Sequence, residues 1–517
     1  MISRRIIIYI IVLISAVWLC YFNSLPGQFL WDDESLIVEN EMIRDISNIP
    51  HFFKFNSWPT EYKHFYRPVQ LVTYAIDYLF WKLNSFGYHF GNVFFHMLNV
   101  LLGFILFLLL GVSGFSAFLG MLVFAVNPLH TEAIAYVSGR ADLLVLFFLL
   151  LAANIFVYLQ RCSVGKTELS SGFFLEQGSK RLFYYFLWSV IAYAGALCSK
   201  EIAYMFPLLL FVWFVIFKRY CEIQWQLFCV VVISAILAGA LFYARYQYQS
   251  NAEFNIFAFS GLERFSVGVK AFALYFLTFF YPVGLHMERL VLPAEVFYEK
   301  NFLLSFFFAM SFTAFSVWAF FKSKKNALAC VWILIFLLPV LNIVPLNATF
   351  AEHWFYVSAI GLCLLIANIH DTFKFRKELT VVLLAFCLVC TDFTFFRNKD
   401  WTDPVRFYLA TLKYRPNDVK VHYNLANEYF KRDEYGAAKE HYSAVINISE
   451  KAELKSNGQG SDILKSSLLA KAYNNLGTVY VKQKKYKKAE FCYKTALILD
   501  PAKVSSQKNL ENLKNLL

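Results

Sequence analysis

The stretch RRIIIYIIVLISAVWLCYFNSLPGQFLWDDE, residues 4–34, sets two arginines, an apolar run and three consecutive acids side by side. The run is as long as the ~17 or more apolar residues that cross a bilayer. No small-x-small cleavage site follows it, so it reads as an uncleaved first membrane helix and not as a removed signal peptide. Asp32, Asp33 and Glu34 then fall a few residues past the membrane, flanked by Trp31 and an apolar Leu-Ile-Val, where carboxylates are unusual company.

Working outward, the 517-residue chain is 59% hydrophobic and 16% charged, against about 25% charge for a soluble protein. Comparable apolar runs begin near Arg5, Gly91, Gly114, Leu143, Phe183, Ile202, Leu227, Phe302, Ala327, Tyr356 and Leu379. The expected fold is therefore all-α: a polytopic helical membrane protein of about eleven spans. A further run, residues 271–285, either spans or lies shallow. Basic clusters at Arg4/Arg5, Arg161/Lys166/Lys180/Arg181, Lys218/Arg219, Lys322/Lys324/Lys325 and Lys374/Arg376/Lys377 orient the spans. If all are cytoplasmic, eleven spans alternate consistently when 271–285 does not cross, with the N-terminus inside and the tail outside. If it crosses there are twelve spans and the tail is cytoplasmic. Either way the first outer loop, about residues 23–90, is the longest polar connection of the membrane domain 1–396. Loops of that length are usually functional or hold short helices. The ten cysteines are scattered, and Cys387 and Cys390 sit inside VVLLAFCLVC, a buried helix position and not a metal or redox pair.

The formal charge of +12 lies mostly in residues 397–517, which hold 22 Lys/Arg against 13 Asp/Glu. This tail reads as tetratricopeptide repeats, an α-solenoid. Leu425/Leu476, Ala426/Gly477, Tyr429/Tyr480, Tyr435/Tyr486, Ala438/Ala489 and Tyr442/Tyr493 align, small residues letting two helices approach and aromatics filling the space beside them. A half-repeat at about 404–417 precedes repeats at about 420–449 and 470–503. The intervening KAELKSNGQGSDILKSS is a loop or a helix extension. So few repeats are expected to lean on the membrane body, and the pattern points to binding protein partners.

Five stretches could carry chemistry. The acidic triplet is the first: a carboxylate near a low-dielectric interface can act as a general base, and Arg67 in KHFYRPVQ offers a fork that pairs with phosphate oxygens. His89, Asn92, His96 and Asn99 form one polar stripe on a helix, which must face the bundle or a wet cavity. In NPLHTEAIAYVSGRADLL, His130, Glu132, Arg140 and Asp142 gather at the expected outer surface, where Ser138 could cap a helix and Asp142 suits its first turn. Lys200 and Glu201 lie between two apolar runs, either as a local ion pair or with Lys200 meeting an anionic headgroup. Glu352, His353 and Tyr356 head a later span. There is no glycine-rich phosphate loop and no H-E-x-x-H motif, which points away from ATP-driven chemistry and toward a pre-activated, lipid-carried substrate.

In order, the acidic pair, YRPVQLVTY, YHFGNVFFHMLN, NPLHTEAIAYVSGRADLL, SKE and AEHWFYVSAIG, followed by the repeats, resemble the transmembrane and tetratricopeptide-repeat O-mannosyltransferases of the GT-C glycosyltransferases. The resemblance covers essentially the whole chain and implies an inverting glycosyltransferase. A sugar, typically mannose, would pass from a polyprenyl or dolichyl phosphate carrier to a hydroxyl of a protein Ser/Thr or a glycan on the outer or lumenal face. Asp32 or Asp33 would be the base. Arg67, with Lys200 or Arg140, would hold the phosphate. His89, Asn92, His130, Glu132, Glu201, Glu352 and His353 would complete the substrate and lipid-phosphate site. No cofactor is obligatory; a divalent metal, if any, would sit on Asp32, Asp33 and Glu34. The expected location is the cytoplasmic membrane of a bacterium or the endoplasmic reticulum of a eukaryote, with the bilayer, a lipid-linked sugar and acceptor proteins as partners and no nucleic acid. Animal members carry longer repeat arrays, which leaves the acceptor open. An O-antigen-ligase-like oligosaccharyltransferase would place its site on a late outer loop. A membrane-anchored repeat scaffold would make the acids dispensable.

Overall fold

The computed structural model describes residues 3–54, 65–163, 178–217, 224–249, 259–287, 289–296, 298–455, 463–501 and 504–514. The basic positions Lys166, Lys218 and Arg219 lie outside them. The described residues are helical without a strand, and the chain divides into two units, Met1–Trp401 and Thr402–Leu517.

The first unit holds α1 (Arg4–Tyr21), the one-turn α2 (Ile49–Phe52), α3 (Pro68–Trp81), α4 (Ser85–Leu109), α5 (Gly114–Val126), α6 (Thr131–Ala135), α7 (Arg140–Ser163) and α8 (Gly178–Leu197). It continues with α9 (Phe206–Phe217), α10 (Gln224–Gln249), α11 (Gly261–Phe280), α12 (Lys300–Lys322), α13 (Lys324–Leu337), α14 (Tyr356–Thr372) and α15 (Arg376–Asp400). Each of the eleven apolar runs is a helix. Among the described residues seven helices are long and apolar enough to cross a membrane, or eight if a bent pair counts as one span. The four runs outside the seven are α9 and α13, with 12 and 14 residues, α8, whose apolar part Tyr184–Leu197 is short, and α5, which stops after 13 at Asn127-Pro128. Proline cannot continue the helix, and the chain bends by 50° into Pro128–Ala135. That bend carries His130 and Glu132 into the bundle.

The centre is formed by α4, α5, α7 and α14, whose buried apolar side chains make one continuous core. With lipid outside there is no hydrophobic drive between helices, so close backbone approach does the packing. A Cβ on Gly120 of α5 would lie 2.7 Å from the carbonyl oxygen of Cys363 on α14. One on Gly361 would lie 2.8 Å from that of Ala329 on α13. By contrast α10, α12 and α15 expose Ile236, Phe307 and Leu388, the apolar outer surface a bilayer requires.

Residues of the first outer loop fold into a separate small core: Leu36, Ile37, Ile43 and Phe52 pack on Leu71, Tyr74 and Ala75 of α3, with Tyr88 and Val137. At the other end of the bundle Lys325 donates to the Gly111 carbonyl, the Ser113 N–H donates to Asp371 (3.3 Å) and Arg376 donates to Ser113 (2.8 Å). The basic clusters at Lys322–Lys325 and Lys374–Lys377 thus share one end. The run 271–285 begins inside α11. That helix meets the acidic-loop end at three points: the Ala294 N–H on Ser266 (3.0 Å), Tyr275 on the Ala351 carbonyl (3.3 Å) and Asn127 on the Phe279 carbonyl (3.1 Å).

The second unit contains α16 (Pro404–Leu412), α17 (Val419–Lys431), α18 (Tyr435–Lys455), α19 (Ile463–Lys482), α20 (Tyr486–Leu499) and α21 (Val504–Lys514). KAELKSNGQGSDILKSS extends both α18 and α19 around residues 456–462, which lie outside the described set. The paired small residues work as the alignment requires: a Cβ on Gly477 would meet Tyr493 at 2.7 Å. The terminal α21, absent from the sequence reading, buries Leu513 against Ala489 and Tyr493.

Candidate functional site

The acidic loop is a tight turn. Trp31 adopts a left-handed backbone, φ 51°, an uncommon conformation for a bulky residue, and the chain reverses so that the Leu30 N–H reaches Asp33 Oδ2 at 3.0 Å. Asp33 has no solvent exposure. Its Oδ1 accepts the Ser138 N–H at 2.8 Å and also the Ser138 hydroxyl. Burial pushes its carboxyl up to about 7, against the opposing pull of these hydrogen bonds. Asp32, one residue earlier, is half-buried, and its N–H donates to the Tyr136 hydroxyl at 3.1 Å. The two acids are therefore unlike: Asp33 fastens the loop to the turn before α7, and Asp32 is carried on that fastening.

The same turn is gripped from a second side. Gln70 of α3 donates to the Ser138 carbonyl at 3.0 Å and Tyr74 to that of Val137 at 3.0 Å. Ser138 is a partner of Asp33, and not the expected helix cap, because its hydroxyl and N–H both point to the acid. Gly139 follows where a Cβ would strike the Ala133 and Glu132 carbonyls at 2.7 and 2.8 Å.

Arg67, at the start of α3, leads the cationic side. It donates to Glu201 at 2.9 Å, which also meets Arg245 at 3.4 Å. Lys200 holds both oxygens of Asp142 at 2.7 Å; burial pulls the lysine below its ordinary range while Asp142 opposes that shift. Lys200 and Glu201 are thus not a local pair. Each turns to a different helix, which ties α3, α7 and α10 together where the sequence offered almost no loop. Arg67 and Glu201 keep partial exposure, 17% and 37% of their side chains, so this group opens outward.

Three further expected site residues are occupied by the fold. Arg140 is fully buried, bound by Asp77, by Asn92 Oδ1 at 2.7 Å and by the Tyr88 carbonyl at 2.7 Å. Asn92 also donates to the Tyr136 carbonyl at 2.9 Å. His89 is buried against Gly27, where a Cβ would lie 2.9 Å from Nε2. The rest of the stripe is interhelical: His96 Nδ1 and the Tyr356 hydroxyl are 2.7 Å apart, and Asn99 donates to the Leu143 carbonyl at 2.9 Å.

A third group faces the bend. Glu132 meets His353 Nδ1 at 2.9 Å and accepts the His353 N–H at 3.1 Å. Glu352 accepts from Arg397 at 2.8 Å, and Arg397 also donates to the Leu285 carbonyl at 2.5 Å. His130 is buried between Phe124 and Tyr356, ring centroids 4.5 and 5.0 Å away, and neither of its nitrogens has a hydrogen-bond partner among the described residues.

All three groups are strung on residues 127–142: Glu132 to His353, Tyr136 to Asp32, Ser138 to Asp33 and to α3 behind Arg67, and Asp142 to Lys200. Asp77, Arg245 and Arg397 were missed from sequence. Asp77 and Arg245 are lone charges in apolar helices, which is the available signal; Arg397 sits in the charged last turns of α15 beside Lys399 and Asp400. Among the described residues no three His, Cys, Asp or Glu side chains converge as a metal site would need.

Comparison with known proteins follows the same division. Residues 419–451 and 470–503 match models of the tetratricopeptide repeat. The chain is 25% identical over 96% of its length to Protein O-mannosyl-transferase TMTC3 of Homo sapiens, covering 56% of that protein. It is 33% identical over 31% of its length to Protein O-mannosyl-transferase TMTC2 of Homo sapiens, covering 19% of it. The chain spans about half the length of the first of these relatives. Among solved structures it is similar to the archaeal oligosaccharyltransferase AglB from Archaeoglobus fulgidus in complex with an inhibitory peptide and a dolichol-phosphate, at 12% identity and a TM-score of 0.45, covering 79% of this chain and 56% of that one.

Proposed function

We propose that this chain is a membrane glycosyltransferase that moves a sugar, mannose, from a polyprenyl-phosphate carrier to the hydroxyl of a protein Ser or Thr. The observation that carries this reading is the similarity to protein O-mannosyl-transferases along 96% of this chain combined with the acidic loop held over the 127–142 segment. Asp32 is the base. Of the two acids it is the partly exposed residue, while Asp33 is buried and held by Ser138 and Leu30. In a single displacement Asp32 takes the acceptor proton, the oxygen attacks the anomeric carbon, and the C–O bond to the lipid phosphate breaks with inversion. The leaving group is already a phosphate, so a strong acid is not required. Its growing charge is met by Arg67, with Lys200 and Arg245 behind it, pre-placed so that no reorganisation is needed during the reaction. Arg67 already pairs with Glu201, so phosphate binding shares or replaces that contact. The repeat unit holds a protein partner; Asn475 there donates to Asn427 and to Tyr423, both at 3.1 Å.

The test is transfer in isolated membranes from radiolabelled polyprenyl-phosphate mannose to a Ser/Thr-rich acceptor. Label that is alkali-labile on protein and absent without this chain supports the reading. No transfer from any polyprenyl-linked monosaccharide, with folded protein present, overturns it.

A further inference from the structure

At the end of the bundle opposite the acidic loop, a cavity of about 630 Å³ opens between helix ends, with Phe217, Lys324, Lys325, Asn326, Asn368 and Asp371 in its wall. It is distinct from the site above. α14 starts at Tyr356, beside His353, and its 17 residues carry the chain roughly 25 Å at 1.5 Å per residue before it ends at this cavity.

The wall is built for an anion. Lys324 and Lys325 are the first two residues of the 14-residue α13, whose amino end carries backbone N–H groups without intrahelical partners and the positive pole of the helix. Arg161 of α7 approaches the same place: its guanidinium and the Lys325 ammonium both flank Gly111, 3.3 and 3.6 Å from where a Cβ would stand. The left-handed backbone of Gly111, φ +76°, keeps that space clear. Asp371 is the carboxylate facing this group, and it is already bound by Arg376 at 3.2 Å, Ser116 at 3.1 Å and the Ser113 N–H at 3.3 Å. Among the described residues lining the cavity, Lys324 and Lys325 face one carboxylate, Asp371, with Arg161 close by.

A second observation is independent of charge. Asn368 is 4% exposed, and among the described residues neither its amide nitrogen nor its side-chain oxygen has a hydrogen-bond partner. The Asn326 Oδ1 beside it is likewise buried and without one. A buried polar group left unmet costs about 1–3 kcal/mol, so two amides facing a cationic cavity call for a ligand with both acceptors and donors. The setting selects its other half: Phe217 ends the apolar α9, and basic pockets between span ends take lipid headgroups.

We infer that this cavity binds the phosphate of an anionic membrane lipid, with Lys324, Lys325 and Arg161 as counter-charges and Asn368 donating to a phosphate or glycerol oxygen. Free phosphate shares the chemistry, and the test separates the two. The purified full chain is placed in phosphatidylcholine nanodiscs, in nanodiscs containing phosphatidylglycerol, and in phosphatidylcholine nanodiscs with millimolar inorganic phosphate. Thermal unfolding and the number of lipids retained in native mass spectrometry are read for wild type, K324Q/K325Q and N368A.

The expected result is a midpoint several degrees higher with phosphatidylglycerol than with phosphatidylcholine, and one anionic lipid retained. Both should be lost in K324Q/K325Q, read against that variant's own midpoint in phosphatidylcholine, and weakened in N368A. Stabilisation by inorganic phosphate alone would overturn the lipid assignment. An undiminished lipid effect in K324Q/K325Q would overturn the site. If that variant fails to fold, lipid retention by N368A decides: unchanged retention refutes the proposal.

Discussion

Asp33 and Ser138 are joined twice, the acid's Oδ1 accepting both the backbone N–H and the hydroxyl of Ser138, so two segments 105 residues apart behave as one turn. Ser138→Ala removes the hydroxyl and leaves a buried carboxylate short of a donor. The expected loss is about 1–3 kcal/mol of stability. Transfer should fall less than for substitution of Asp32 itself. Thermal unfolding and initial rates on the same preparation check both.

The Asp33 carboxyl, raised by burial to about 7 from an unfolded value near ~3.9, gives a pH signature. A raised value means the fold prefers the protonated acid. Its stabilising contribution is complete below the unfolded value and is lost as pH rises through about 7. The unfolding midpoint of wild type minus that of Asp33→Asn should therefore fall between about pH 4 and 7. A carboxyl C=O infrared band should titrate near neutrality in wild type and be absent from the variant.

Arg140 and Asp77 form a pair in which the guanidinium is 1% exposed and the carboxylate 16%. Asp77→Ala strands the arginine and is expected to cost about 3 kcal/mol, the lower end for a broken buried pair because the acid is partly wetted. Arg140→Met added to Asp77→Ala should recover much of that loss. A double variant no more stable than the single one would show that Arg140 matters through Asn92 and the Tyr88 carbonyl instead.

Arg67 carries the phosphate in this account and shares Glu201 with Arg245. Arg67→Ala should raise KM for the lipid-linked donor and lower kcat, together about 10- to 100-fold in kcat/KM, the range of a charged hydrogen bond worth about 1.5–3 kcal/mol. Arg67→Lys should recover part of the charge but not the planar fork. Kinetics against donor concentration separate this from loss of folding.

The helices were legible because apolar length dictates them, and the repeat tail because small and aromatic residues recur in register. The division of labour between Asp32 and Asp33 was not legible. It depends on where Ser138 lies, and no local pattern encodes a contact over that separation. Lys200 and Glu201 read as neighbours on the chain, yet each found a better partner on another helix: Asp142 in one case, Arg67 and Arg245 in the other. Arg397 and Arg245 were hidden by the hydropathy of the runs they end. A search for single charges at the margins of apolar helices would have found Arg245 but not Arg397, which ends its run among Lys399 and Asp400.

In the proposed reaction Asp32 removes the acceptor proton and Asp33 only positions it. The most direct measurement is sugar transfer by Asp32→Asn and Asp33→Asn at matched amounts of folded protein. Asp32→Asn should lose transfer by about 100-fold or more per folded molecule, the usual worth of a general base. Asp33→Asn should retain transfer in its folded fraction. Transfer by Asp32→Asn at the wild-type rate would exclude Asp32 as the base.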